Sequence, residues 1–539
     1  MAVTDLLRGR LPLLATLAAG TMLAGCNLAP HYIRPASGVP AALPQGGTYP
    51  SAATDARDVT RVGWRDFFID PSLRQVIQRG LDNNRDLQVA AANVLQARAQ
   101  YRVQRADLVP TTGLSGSATY TNNLLGAASA ATGSATGAGS TGTTTTGTGT
   151  TTGSTTGTTT GTTTSTGTGA VGSTVGSGST NIAYYSANVG VSAYEVDLFG
   201  RVRNLTRAAL EQYFATQEAQ RTTRITLIAE IATAWLTIAS DEDQLALSQQ
   251  TLGTFKQTLD LTTAQFRIGV ASELESRQAE TNYQAARNDI AVLRTQVARD
   301  RNALDLLVGA PVEPALLPSA LGDLRAGIEV LPTDLSSTVL LRRPDVLQAE
   351  HQLIAQNANI GAARAAFFPT ISLTATLGTI STALGGLFGA GSGTFAASPS
   401  ISLPLFDGGR NKGNLDYARA SRQAAVATYQ KTIQTAFREV ADALAQRGTI
   451  DEQIAAQSAR ANAAQIAAKL ADARYRAGVD SFLTSLDAQR TAYAAQQQLV
   501  TTRLNRGSNL VELYRSLGGG LAEGADASPV PASTAPARP

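Results

Sequence analysis

"AQFRIGVASELESRQAE" (264–280) and "ARYRAGVDSFLTSLDAQ" (473–489) are two copies of one pattern. Eight of seventeen positions are identical, among them Arg267/Arg476, Gly269/Gly478, Val270/Val479 and Leu274/Leu483. These pairs lie 209 positions apart, and the same offset joins Gly200–Arg201 to Gly409–Arg410 and Gly309 to Gly518. About 110 residues thus align without a gap, the mark of an internal repeat. Upstream the copies align at an offset of 259: Leu81 with Leu340, Ala106 with Ala365, Pro110 with Pro369, Leu114 with Leu373. The 50-residue difference locates an insertion in the first copy, and it contains "TTTTGTGTTTGSTTGTTTGTTTSTGTG" (143–169). Nothing in that tract is charged or large and apolar, so it cannot bury enough surface to offset the entropy of ordering it. The second copy lacks it, which makes it a loop extension and not part of the fold.

The repeated stretch is the turn of a helix hairpin. Arg201 to Phe266 holds no Pro and one Gly, Gly253, and its Ile225, Ile228, Ile231, Trp235 and Ile238 share one helix face. A helix of that length spans roughly 100 Å. In "RIGVAS" Gly269 stands where a helix C′ residue belongs and Ser272 where the next N-cap does. The return helix runs to about Val308, where Gly309, Ala310 and Pro311 stop it. The second copy predicts a helix from about Gly413 to Tyr475, the turn "RAGVDS", and a helix from Ser481 to Leu517. Long antiparallel hairpins rich in Ala and Gln pack in coiled-coil fashion.

Before each hairpin lies a zone without Asp, Glu, Lys, Arg or His: Leu108 to Tyr194, and Ala365 to Phe406. Within them Ile371, Leu373, Ala375 and Leu377 alternate with Ser372, Thr374 and Thr376. Ile401, Leu403 and Leu405 alternate with Ser400, Ser402 and Pro404, and Val189, Val191 and Ala193 follow the same rule. Period two, with one apolar and one small polar face and no charge on either, marks membrane β-strands more than a soluble sandwich edge. Each copy supplies one strand hairpin. Four strands cannot close a membrane barrel, and open edges in lipid leave backbone groups unpaired. The chain must therefore oligomerise, two copies giving eight strands and three giving twelve. The Thr/Gly tract falls at the strand ends away from the helices.

The N-terminus points to export. Arg8 and Arg10 precede "LPLLATLAAGTMLAGC" (11–26), a charged n-region, a short apolar run and a small-residue exit. The run is too short for a stable membrane span. Leu23-Ala24-Gly25-Cys26 resembles a bacterial lipobox, which makes Cys26, the only cysteine, the expected lipid anchor; Asn27 beside it favours outer-membrane sorting. Cleavage leaves a formal charge of +2, no Met, and two distant histidines, His31 and His351. That composition excludes a nucleic-acid footprint and gives no thiol, thioether or histidine metal site. No nucleophile elbow, phosphate loop or convergent carboxylate pair occurs, so no enzyme and no cofactor is expected beyond the covalent lipid.

The chain resembles the TolC-like outer-membrane efflux channels, specifically the OprM-like (NodT-type) lipoprotein branch. The resemblance runs from "GWRDFFIDPSLRQVIQRGLDNNRDLQVAAANV" (63–94) to "LYRSLGGG" (513–520). It is most specific in "LLRRPDVLQAEHQLIAQNANIGAARAAFFPTISLTATLG" (340–378) and "ARYRAGVDSFLTSLDAQRTAYAAQQQLV" (473–500). It implies a mixed fold, a membrane β-barrel plus a long α-helical barrel, built by a homotrimer with twelve strands and a periplasmic tunnel. It also implies an exit duct of a tripartite pump, partnered by a periplasmic adaptor (membrane fusion protein) and an inner-membrane RND-type pump. A type I protein-secretion duct and a heavy-metal efflux channel are the alternatives.

On this reading the organisation is a signal peptide (1–25), a lipidated extended segment (26–62), repeat 1 (63–309), an equatorial linker (310–331), repeat 2 (332–520) and a disordered tail (521–539). Repeat 1 carries a β-hairpin (110–199) with an extracellular loop (126–180) and a helix hairpin (200–309). Repeat 2 carries a β-hairpin (369–406) and a helix hairpin (409–518). The family's gate positions map onto Leu483, Asp487 and Arg490, which share one helix face. Threefold symmetry would set rings of Leu483 and Asp487 about the axis, with Arg490 pairing an Asp487 carboxylate to hold neighbouring hairpins. The matched sites in the first copy, Leu274, Gln278 and Thr281, carry no charge. The turns, with Arg267, Gly269 and Val270 in one and Arg476, Gly478 and Val479 in the other, are the expected adaptor contacts.

Overall fold

A computed structural model describes residues 27–50, 63–121, 182–322 and 336–519. The signal segment with Cys26, the Thr/Gly loop, the second half of the linker and the C-terminal tail lie outside the described residues. Contacts divide the chain into a strand-bearing unit (1–29, 102–206 and 360–415) and a helical unit (30–101, 207–359 and 416–539).

The elements, in chain order, are α1 (Trp64–Phe67), α2 (Pro71–Asn83), α3 (Arg85–Ala106), β1 (Thr112–Thr121) and β2 (Ile182–Glu195). There follow α4 (Arg201–Arg267), α5 (Glu273–Val308), α6 (Pro344–Ala365), β3 (Thr370–Ser381), β4 (Gly393–Ser402), α7 (Arg410–Arg476) and α8 (Phe482–Ser516), with short 3-10 turns between some of them. Both long helices, α4 and α7, are 67 residues. Among the described residues no helix is long and apolar enough to cross a membrane.

In the strand-bearing unit the sheet is antiparallel in the order β1-β2-β3-β4. Its register aligns Leu114, Val189, Leu377 and Phe395 in one cross-strand row. They are 84%, 47%, 59% and 73% exposed, so the row is an uncovered apolar band. The adjacent row, on the other face, is Ser115, Asn188, Gly378 and Thr394. Serine hydroxyls pair across strands on that face, Ser117 with Ser186 at 2.9 Å and Ser372 with Ser400 at 2.6 Å. The predicted period-two alternation is present in β3 from Ile371 to Leu377, in β2 at Val189 and Val191, and in β4 at Ile401.

Two details differ from the sequence reading. β4 stops at Ser402, so Leu403 and Leu405 lie beyond the strand; Pro404 has no N–H to extend a ladder. At Ala193 the alternation breaks, because the register shifts between Val191 and Tyr194 and Ala193 takes φ 50°. Its N–H donates to Thr374 Oγ1 at 3.1 Å, the geometry of a β-bulge.

In the helical unit one apolar core joins α1 and α2 (Trp64, Phe67, Ile77) to α4 (Ile228, Ile231, Trp235, Ile238), α7 (Tyr429, Ile433, Val440) and α8 (Leu510, Leu513, Tyr514). The predicted face of α4 is buried from Ile228 to Ile238, while Ile225 is half-buried. Trp235 Nε1–H donates to Leu316 O at 3.1 Å, which satisfies its polar end inside the core. Helix α5 ends at Gly309 with φ 76°, as the sequence predicted; a Cβ there would meet Asn83 O at 2.6 Å, so both backbone angle and space demand glycine.

One charged knot ties this core. Arg343, 5% exposed, donates to Asp345 at 2.7 Å, Glu439 at 2.9 Å and the Ser516 carbonyl at 2.6 Å, linking the start of α6 to α7 and the end of α8. Removing one member of a buried ion cluster leaves its partners uncompensated. Arg343→Ala is expected to cost about 3 kcal/mol, read as a lowered midpoint in heat or denaturant unfolding of the helical signal.

Candidate functional site

The two hairpin turns are built by the same backbone chemistry. At the first, Gly269 has φ 77°, Gly269 N donates to Phe266 O at 3.0 Å and Val270 N to Gln265 O at 2.9 Å. At the second, Gly478 has φ 73°, Gly478 N donates to Tyr475 O at 2.9 Å and Val479 N to Arg474 O at 2.9 Å. Only glycine adopts this left-handed step without strain, and it turns the chain through one residue. The next residues cap the return helices. Ser272 accepts from Glu275 N and Glu275 reaches back to Ser272 N, a complete capping box; Ser481 accepts from Thr484 N at 3.3 Å.

This geometry thrusts Val270 and Val479 into solvent, 73% and 63% exposed, together with Ile268. Arg267 and Arg476 are exposed beside them, and Arg476 pairs with Asp472 at 2.9 Å one turn below. The second turn alone carries an ion pair across it, Arg474 to Asp480 at 2.6 Å. Hydrogen bonds from that guanidinium hold the Asp480 carboxyl below the usual carboxylate range. Beneath the turns a small core of Ala279, Phe482 and Leu486 joins the return helices, and Tyr475 Oη donates to Gln265 Oε1 at 2.7 Å to tie α7 to α4.

Leu483, Asp487 and Arg490 all lie exposed on α8. Leu483 and Asp487 line one shallow cavity of about 550 Å³ with Ala464, Ala467, Ala488 and Thr491, small side chains that leave the α7–α8 groove open. Among the described residues neither Asp487 nor Arg490 forms an ion pair, and both side chains are exposed. The first-copy sites Leu274 and Thr281 are exposed on α5 and Gln278 is half-buried.

Two polar clusters had no sequence signal strong enough to find them. Tyr493, in the run "AYAAQQQ", places its hydroxyl 2.8 Å from Ser248 Oγ on α4 and donates to Asp289 Oδ2 on α5 at 3.1 Å. One hydroxyl so links three helices. Its partners are 245 and 204 positions away, beyond any local pattern.

Asp241 of α4, 9% exposed, faces Asp300 of α5, whose Oδ1 accepts from Gln296 at 2.9 Å. Glu242 beside it pairs with Arg301 at 2.7 Å. Burial first, then the Asp300 carboxyl and the Glu242 charge, push Asp241 up to about 7. A carboxyl whose pKa is raised on folding stabilises the fold at low pH, and that contribution is lost as pH rises from about 4 toward 7. Asp241→Asn removes the titrating charge. The variant should unfold at the same temperature as the unmodified chain near pH 4 and at a higher one at pH 8; equal midpoints at pH 8 would count against the pair.

Among the described residues no group of three or more His, Cys, Asp or Glu is placed to hold a metal. What the geometry offers is one apolar sheet face in the strand-bearing unit, and long helix hairpins with exposed turns in the helical unit.

The comparisons with known proteins agree with that picture. The family model described as outer membrane efflux protein matches residues 76–310 and 335–519. The chain is 43% identical over 504 residues to the probable efflux pump outer membrane protein TtgC of Pseudomonas putida, covering 93% of this chain and 94% of that one. Against the outer membrane protein OprJ of Pseudomonas aeruginosa the identity is 38%, over the same shares. Among solved structures, the open state of the Neisseria gonorrhoeae MtrE outer membrane channel superposes with a TM-score of 0.75 at 34% identity, over 92% of this chain and 99% of that one. With the family model matched in both halves and relatives alike over almost the full length, this chain belongs to the outer membrane efflux protein family, a family of transport channels and not of enzymes.

Proposed function

We propose that three copies of this chain assemble into one gated duct that carries small toxic compounds out of the periplasm and across the outer membrane. The observation that carries the proposal is the apolar row Leu114–Val189–Leu377–Phe395 on a sheet whose edge strands, β1 and β4, have no further strand beside them among the described residues. An apolar band of this kind is stable only against lipid, and open edges in lipid are stable only when another sheet covers them. Three four-stranded sheets give a twelve-strand barrel. The duplicated hairpins α4–α5 and α7–α8, one in each repeat (63–309 and 332–520), then give twelve helices for a tunnel on the periplasmic side. Cys26 carries the lipid after loss of residues 1–25, 310–331 is the equatorial linker, and the loop at 126–180 faces the exterior.

At the far end of the hairpins, Leu483 and Asp487 form rings about the axis, and Arg490 pairs with Asp487 of a neighbour to hold the gate shut. The turns at Arg267, Gly269 and Val270 and at Arg476, Gly478 and Val479 dock a periplasmic adaptor, which in turn engages an inner-membrane RND-type pump. Relatives are named for efflux of toluene and of antibiotics, which supports hydrophobic toxic compounds as the cargo class. Energy comes from the pump partner. Reconstituted into planar bilayers, the purified protein should insert in discrete conductance steps; a protein that stays in the membrane without conducting overturns the reading.

A further inference from the structure

The described chain ends against a basic cavity. A space of about 930 Å³ opens between α2, α3, α4 and the residues that follow α8. Its lining includes four guanidinium groups, Arg65, Arg221, Arg224 and Arg342, and two carboxylates, Asp82 and Glu218, a formal balance of +2. Arg221 is committed to Glu218 at 2.6 Å. Arg65 gives its hydrogen bond to a neutral amide, Gln78 Oε1, and Arg342 is exposed without an ion pair among the described residues. Two cations therefore face the space with no anion assigned to them. Leu81 and Leu87 supply an apolar floor.

Gly518 and Gly519 belong to the same lining. Both have positive φ, 92° and 63°, and a Cβ on Gly519 would meet Ile225 at 2.7 Å, so the backbone lies directly on the cavity wall. Tyr514 Oη donates to Gly519 O at 2.6 Å and pins it there. The chain that continues from this point reads "LAEGADASPVPASTAPARP" (521–539). Its acidic residues, Glu523 and Asp526, come at once, and its single cation, Arg538, stands far from both. At about 3.3 Å per residue, Glu523 reaches at most about 13 Å from Gly519 and Asp526 about 23 Å.

We propose that residues 521–527 dock in this cavity as a C-terminal clasp, with Leu521 on the Leu81/Leu87 floor and Glu523 and Asp526 opposite Arg65 and Arg342. Two anions meet two uncompensated cations, and the clasp fastens the end of α8 to α2, α3 and α4. The occupant is the chain's own segment because it is tethered at the cavity wall, which gives it a high effective concentration there.

Gln88→Cys on the cavity lining, combined with Ala522→Cys in the full-length chain, tests this by mild oxidation, with each single variant as control. The expected product is a disulfide within one chain, seen as faster migration on a non-reducing denaturing gel and reversed by thiol. Adding Glu523→Lys and Asp526→Lys should lower its yield about tenfold, since two partly shielded ion pairs become repulsions, and high salt should lower it as well. A disulfide joining two chains, no disulfide, or a yield indifferent to charge reversal overturns the proposal. If the cysteine variants do not assemble, limited proteolysis of the unmodified chain gives the second readout. Residues 521–527 should resist cleavage, and Arg65→Glu with Arg342→Glu should expose them; equal cleavage in both chains overturns the clasp.

Discussion

Val270→Asp combined with Val479→Asp is expected to abolish efflux-dependent resistance while leaving folded protein in the outer membrane. Both side chains are exposed, and glycine at the preceding position sets their backbone. Aspartate there removes no packing contact, so the fold should lose no more than about 0.5 kcal/mol. Docking is another matter. A partner seated on the turns would desolvate the new carboxylates with no cation opposite them, at a cost of about 1–3 kcal/mol for each such group. With two per chain and three chains in the proposed trimer, even a fraction of that total removes several tenfold factors of affinity, each worth about 1.4 kcal/mol. Growth in the presence of drug should fall to the level of a strain without the channel, with membrane levels unchanged by immunoblot. Retained resistance would show that the partner binds elsewhere.

The second large effect is expected at the gate. Asp487→Ala with Arg490→Ala should raise single-channel conductance several-fold in planar bilayers. Neither residue has an ion pair among the described residues, and both are exposed on the α8 face that also carries Leu483. The double change therefore costs one subunit little, whereas pairing between subunits would be lost outright. Because Leu483 remains, the proposed apolar ring would persist, and the open fraction should rise without the channel standing permanently open. An unchanged conductance would mean that Asp487 and Arg490 do not hold the constriction.

The helix ends and strand faces were legible because they depend on neighbours in sequence. Gly269, Gly309 and Gly478 mark helix ends by the left-handed step that only glycine takes freely, and Ser272 and Ser481 mark starts by their side-chain oxygens. Alternation alone placed Ile371, Leu373, Ala375 and Leu377 on one face of β3 and Val189 and Val191 on one face of β2, whereas the register that sets Leu114 and Phe395 in their row is a matter of strand pairing. Helix α7 begins at Arg410 and not near the predicted Gly413, because Asp407 accepts from Gly409 N at 2.9 Å and Asn411 N at 2.8 Å. That side chain caps the helix early and lets Gly413 sit inside it.

Long-range partners were beyond reach. Arg343 finds the Ser516 carbonyl 173 positions away, and Asp241 meets Asp300 across two helices. No periodicity encodes such meetings; they follow from how the hairpins pack. At the candidate site the exposed valines and the one-sided charge of α8 were visible in the repeat itself. The Tyr493 link was not, since a tyrosine among alanines and glutamines carries no sign of which helices it will join.

One mass decides the central claim, that a single chain supplies only part of a lipid-embedded wall. Native mass spectrometry of the protein, gently extracted from outer membranes, should record a complex of three chains, and sparse chemical cross-linking should yield dimer and trimer bands without larger species. A folded, sheet-containing monomer that stays single at all concentrations would contradict the account.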